Sequence, residues 1–90
     1  MDNTSHFGKK VASLRILTEL TQDELSDVMH CSRISVSNIE RTENLDDISM
    51  DLTFRIFYFC QQVQNNETFE PYIVELSKTI QGKITERLNQ

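Results

Sequence analysis

The stretch Thr21–Arg41 constrains this chain more tightly than any other. Thr21 and Glu24, three apart, have the form of a capping box, so a helix is expected to begin at Gln22. Leu25 and Met29 are four apart and share one face of that helix, which points them at a core. Ser26 stands beside Leu25, where only a small side chain lets a second helix approach closely. His30 falls in the following turn and is expected to take a left-handed backbone, which histidine tolerates better than most residues and glycine tolerates best. Ser32 is a good N-cap for a second helix, with Cys31 apolar before it and Val36 and Ile39 facing inward. Arg33, Ser35, Ser37 and Asn38 are then left as polar, mostly short outward positions. An ordinary helical hairpin is the bland reading, but turn, caps, small residue and apolar positions all agree on a tight corner between two helices.

That combination resembles a helix-turn-helix, whose second helix lies in the DNA major groove. The resemblance runs from about Phe7 to Val63 and is to the lambda-repressor and Cro-like family, often called XRE-type regulators. Gly8-Lys-Lys-Val-Ala-Ser-Leu-Arg15 is similar to the family's opening helix, with Val11 and Leu14 inward. Leu20-Thr-Gln-Asp-Glu-Leu25 is similar to the entry into its second helix, and Val36-Ser-Asn-Ile-Glu-Arg41 to the end of its recognition helix. Ser49-Met-Asp-Leu resembles the start of its fourth helix.

The resemblance implies an all-α, compact bundle of about five helices, and it implies roles. Arg33, Ile34 and Asn38 stand where base-reading side chains sit, with Ser35 and Ser37 beside them. Gln22 stands where a phosphate-contacting or bridging glutamine is common, and Ser32, which opens the reading helix, is expected to contact phosphate as well. Arg15 and Glu40 stand where an ion pair links the first and third helices, a structural role. The chain departs from the pattern at His30 and Thr42, both in place of glycine, and in the loop Glu43-Asn-Leu-Asp-Asp47, which is acidic where many relatives place Lys or Arg. Phosphate contacts then fall to Lys9, Lys10 and Arg41.

Ninety residues with two Gly and one Pro fit one small, mostly helical domain. The net charge of −5 is unusual for a nucleic-acid binder, but it is unevenly spread. Residues 1–41 carry five Lys or Arg against six Asp or Glu, and residues 42–90 carry four against eight. A local basic surface built from Lys9, Lys10, Arg33 and Arg41 can therefore still face phosphate, with weak non-specific affinity. No apolar run approaches the roughly 18 residues of a membrane span and no signal peptide is evident, so a soluble cytoplasmic protein is expected. Cys31 and Cys60 do not form a C-x-x-C pair and are expected to be buried free thiols. His6 and His30 lack paired ligand spacing, so no metal is expected, nor any cofactor. No phosphate loop, nucleophile elbow or carboxylate pair suggests an enzyme.

In the second half, Ser49 is a plausible N-cap and Asp51 suits the first turn of a helix. Phe54–Cys60 has the composition of a strand, but it has no partner strand and its position argues for helix. Asn65-Asn66 breaks the pattern, and Thr68 or Glu70 is expected to cap a last helix with Pro71 in its first turn. Residues 1–6 are expected to be a flexible start, 7–64 the helix-turn-helix domain, and 65–90 a C-terminal helix. Ile73, Leu76, Ile80 and Ile84 recur at helical spacing. They are expected to pack on the same chain's first and fourth helices, with Ile16 and Leu17 contributing, or else to form a dimer interface with Phe57.

The function expected from the residues and the resemblance is a sequence-specific regulator of double-stranded DNA. Its form would be a dimeric repressor of the phage, plasmid or restriction-controller kind. Two alternatives stay open: an antitoxin-type autoregulator with a toxin or antirepressor as protein partner, and a protein-interaction module that kept the fold without DNA binding.

Overall fold

The computed structural model describes residues 6–63 and 70–89. Within them the chain is all-helical, with α1 Phe7–Leu17, α2 Gln22–Met29, α3 Arg33–Arg41, a single 3-10 turn at Leu45–Asp47, α4 Met50–Gln62 and α5 Glu70–Leu88. Of the expected flexible start over residues 1–6, residues 1–5 lie outside the described residues, as do the break at Asn65-Asn66 and the Thr68 cap, while His6 directly precedes α1 with a left-handed backbone at φ 60°. Glu70 is already the first helical residue, followed by Pro71 in the first turn.

Local chemistry sets most of the helix ends. Thr21 and Glu24 close the capping box in both directions, at 3.1 and 2.9 Å. Ser32 and Ser49 cap α3 and α4 by accepting from the amides of Ser35 and Leu52. α2 ends in a Schellman motif centred on His30, at φ 55°, with the amides of His30 and Cys31 donating to the carbonyls of Asp27 and Ser26. α1 ends the same way: Glu19 takes φ 60°, and the amides of Glu19 and Leu20 reach Ile16 and Arg15. Thr42, by contrast, leaves α3 in extended backbone at φ −84°, so no glycine is required there.

A single apolar cluster unites the elements. Phe7, Val11 and Leu14 of α1 meet Leu25 and Met29 of α2, Val36 and Ile39 of α3, and Ile56 and Phe59 of α4. Leu45 anchors the 3-10 turn into the same cluster and is fully buried. Ile73, Leu76 and Ile80 close it from α5, at 7, 1 and 0% exposure.

The expectation that this α5 stripe forms a dimer surface is therefore corrected. A bundle of helices this short has one small core, and α5 supplies the wall that covers α1 and α4. Ile73, Leu76 and Ile80 are spent on it; Ile84 and Phe57 sit half-buried at its border. Ile16 and Leu17 remain exposed and are not consumed in that packing. The apolar side chains that α4 leaves exposed are instead Phe54 and Tyr58, four residues apart on its outer side.

Candidate nucleic-acid interface

α3 is held by one side and exposed on the other. On the held side, Arg15 of α1 donates to both carboxylate oxygens of Glu40, Nε to Oε2 at 2.6 Å and Nη2 to Oε1 at 3.1 Å. Arg15 also reaches the Leu20 carbonyl through Nη1, at 2.8 Å. Gln22, at the start of α2, completes the cluster by donating its amide to Glu40 Oε1 at 3.0 Å. Side-chain exposure is only 16% for Arg15 and 8% for Glu40, so this two-bond pair joins α1 to α3 nearly out of water, and Gln22 adds α2. Gln22 acts here as a bridge between α2 and α3.

The exposed side of α3 carries Arg33, Ile34, Asn38 and Arg41, with Ser37 half-buried between them. The spacings 34–38, 34–37, 37–41 and 38–41 place these residues on one continuous helical face. Ile34 is 70% exposed. Three polar residues of this face already have partners. Arg33 lies 3.6 Å from Asp23 of α2. Asn38 accepts a hydrogen bond from Arg41 Nη2 at 2.8 Å. Ser35 is turned into the helix cap, its hydroxyl 3.0 Å from that of Ser32.

Of the lysines expected beside this face, Lys9 lines a cleft together with Arg41, Thr42 and Glu43. Lys10 does not belong to it, since its ammonium pairs with Glu75 of α5 at 2.8 Å. His6 faces Glu43 at 3.1 Å at the edge of the same cleft. The basic surface is thus narrower than expected: Arg33 at one end of α3, Arg41 and Lys9 at the other.

Three supporting contacts have only faint signals in the sequence. The first two amides of α1, from Phe7 and Gly8, donate to the carbonyls of Glu43 and Thr42 just beyond α3, both at 2.9 Å. Gly8 permits this approach: a Cβ there would fall 2.5 and 2.6 Å from the carbonyl oxygens of Thr42 and Glu40. A glycine inside an otherwise helical pattern is the clue that could have revealed it. Arg55 of α4 donates to the carbonyls of Met29 and His30, at 2.9 and 2.7 Å, placing a cation at the C-terminal end of α2. Lys83 of α5 donates to the carbonyls of Leu45 and Ile48 and, at 2.9 Å, to the Thr53 hydroxyl. It therefore pins the acidic loop to α5; desolvation pulls its pKa down while Asp46 opposes the shift.

Burial pushes the Cys60 thiol up to about 12, and the Cys31 thiol upward as well, so neither is an activated nucleophile. Among the described residues no group of three His, Cys, Asp or Glu could hold a metal ion. None of the described helices is long and apolar enough to cross a membrane. No protein-family model matches this chain, and neither does any curated protein or solved structure.

Proposed function

We propose that this chain is a sequence-specific DNA-binding regulator that reads the major groove with the exposed face of α3. The observation that carries this reading is the division of that helix. Arg15, Gln22 and Glu40 lock one side into the bundle, while Arg33, Ile34, Asn38 and Arg41 stand out on the other. Arginine suits guanine, a carboxamide suits base edges, and an exposed isoleucine suits a thymine methyl. The exposed Ser32 hydroxyl and Lys9 are suited to flanking phosphates. A helix this short covers few base pairs, so the reading calls for two copies with their α3 helices about 34 Å apart. Phe54 and Tyr58 are the exposed apolar side chains of α4 available for such pairing.

Selection from a random duplex library tests the reading: a recurring motif should be enriched, with affinity falling steeply as salt rises. Recovery of unselected sequences at every salt concentration would reject it.

The second reading, a protein-interaction or antitoxin-type role, is favoured by a different observation. Phe54 and Tyr58 line a shallow groove with Met29, His30, Asp51 and Arg55, and the Tyr58 and His30 rings lie 6.3 Å apart. Stable association with a toxin-like or antirepressor partner, lost on Phe54→Ala and Tyr58→Ala but kept on Arg33→Ala, would favour it.

A further inference from the structure

We infer that Arg41 is a positioning residue that turns the Asn38 carboxamide so that it reads guanine rather than adenine. This inference rests on the DNA-reading role of α3. A guanidinium carries only donors, so the Asn38 atom 2.8 Å from Arg41 Nη2 must be the amide oxygen. The opposite flip would set two N–H groups against each other. The Asn38 nitrogen, with both its protons, is therefore the group left to face a partner.

Adenine is read by asparagine through two bonds at once, the oxygen accepting from N6 and the nitrogen donating to N7. Here the oxygen already holds one bond, and a positive charge sits beside it. An approaching N6–H₂ donor would meet both. Guanine offers acceptors at N7 and O6 on its major-groove edge, matching the free amide protons and the neighbouring cation. Arg41 is available for this duty because, among the described residues, no carboxylate stands within ion-pair distance of it. Exclusion of water in a DNA groove would strengthen a contact that is solvent-exposed in the free chain.

The test is duplex selection followed by binding titrations across a salt series, with wild type, Asn38→Ala and Arg41→Ala. Asn38→Ala identifies the base position that Asn38 reads, because preference is lost there alone. Wild type should favour guanine at that position. Arg41→Ala should move the preference toward adenine, by about tenfold in the guanine-to-adenine ratio, with other positions unchanged. The inference is overturned if Arg41→Ala weakens all sequences equally and lowers the salt slope by about one, the behaviour of a plain phosphate contact. The DNA-reading role survives that result. If wild type selects no motif at all, the role and the inference fall together. Both residues are solvent-exposed, so an unchanged melting curve for each variant checks that the fold is intact.

Discussion

Glu40 is the residue on which α3 depends. Its carboxylate receives three donors, two from Arg15 and one from Gln22, and little water reaches it. Truncation to alanine leaves a nearly buried guanidinium without its counter-ion, a change that typically costs about 3–5 kcal/mol. A domain of this size has about 5–10 kcal/mol to lose, so Glu40→Ala should lower the melting temperature sharply. Thermal denaturation followed by circular dichroism measures this, and a variant as stable as wild type would show that water reaches Arg15 freely. Gly8 is the second such residue. Alanine is the better helix former by about 1 kcal/mol, but its Cβ would press into three backbone carbonyls at the end of α3. The clash should win, and Gly8→Ala should unfold at lower denaturant than wild type. Greater stability in that variant would mean that α1 and α3 can separate there at no cost.

At the scale of the helix, the parts legible in the sequence are those with local grammar. The Thr21–Glu24 box and the Ser32 and Ser49 caps act within three residues of themselves, and each appears where expected. The Arg15–Glu40 pair spans 25 residues, and only the family resemblance pointed to it. Arg55 and Lys83 could not be read in advance, because their acceptors are backbone carbonyls 25 to 38 residues away, which have no identity in a sequence. Glu19 gives no such signal either: only the turn geometry, and no side-chain preference, places it in the left-handed region. α4 carries a consequence of burial. The Cys60 thiol stands at about 12 against an ordinary 9.0, so the folded chain holds its proton where the unfolded chain releases it. Stability from this group is full below about pH 9 and is lost as pH rises toward 12. Wild type should lose up to about 1.4 kcal/mol more per pH unit across that window than Cys60→Ala does. Urea denaturation at stepped pH measures the difference, from which every other titrating group cancels. Parallel slopes would show the thiol to be accessible to solvent.

For the whole molecule, the last helix decides how the apolar residues are shared. A helical stripe looks the same in a sequence whether its own chain or a second copy covers it. The Ile73–Leu76–Ile80 stripe proves to be internal, and the large apolar side chains left exposed among the described residues are Ile16, Leu17, Ile34, Phe54 and Tyr58, with Tyr72, Val74 and Leu88 on α5. Leu76→Ala should therefore cost about 2–5 kcal/mol of fold stability. A variant with an unchanged melting temperature but a smaller sedimentation coefficient would return that stripe to an interface. On the proposed reading a chain of net charge −5 reads DNA through Arg33, Arg41 and Lys9, although Asp23 lies beside Arg33 and Glu43 shares the cleft of Lys9 and Arg41. Titration of wild type and Arg33→Ala against a duplex recovered by selection, and against a scrambled duplex, tests it most directly. Wild type should prefer the selected duplex, and Arg33→Ala should lose about 1–3 kcal/mol of that preference while binding the scrambled duplex nearly as before. Equal binding of both duplexes by wild type would show that α3 does not read sequence.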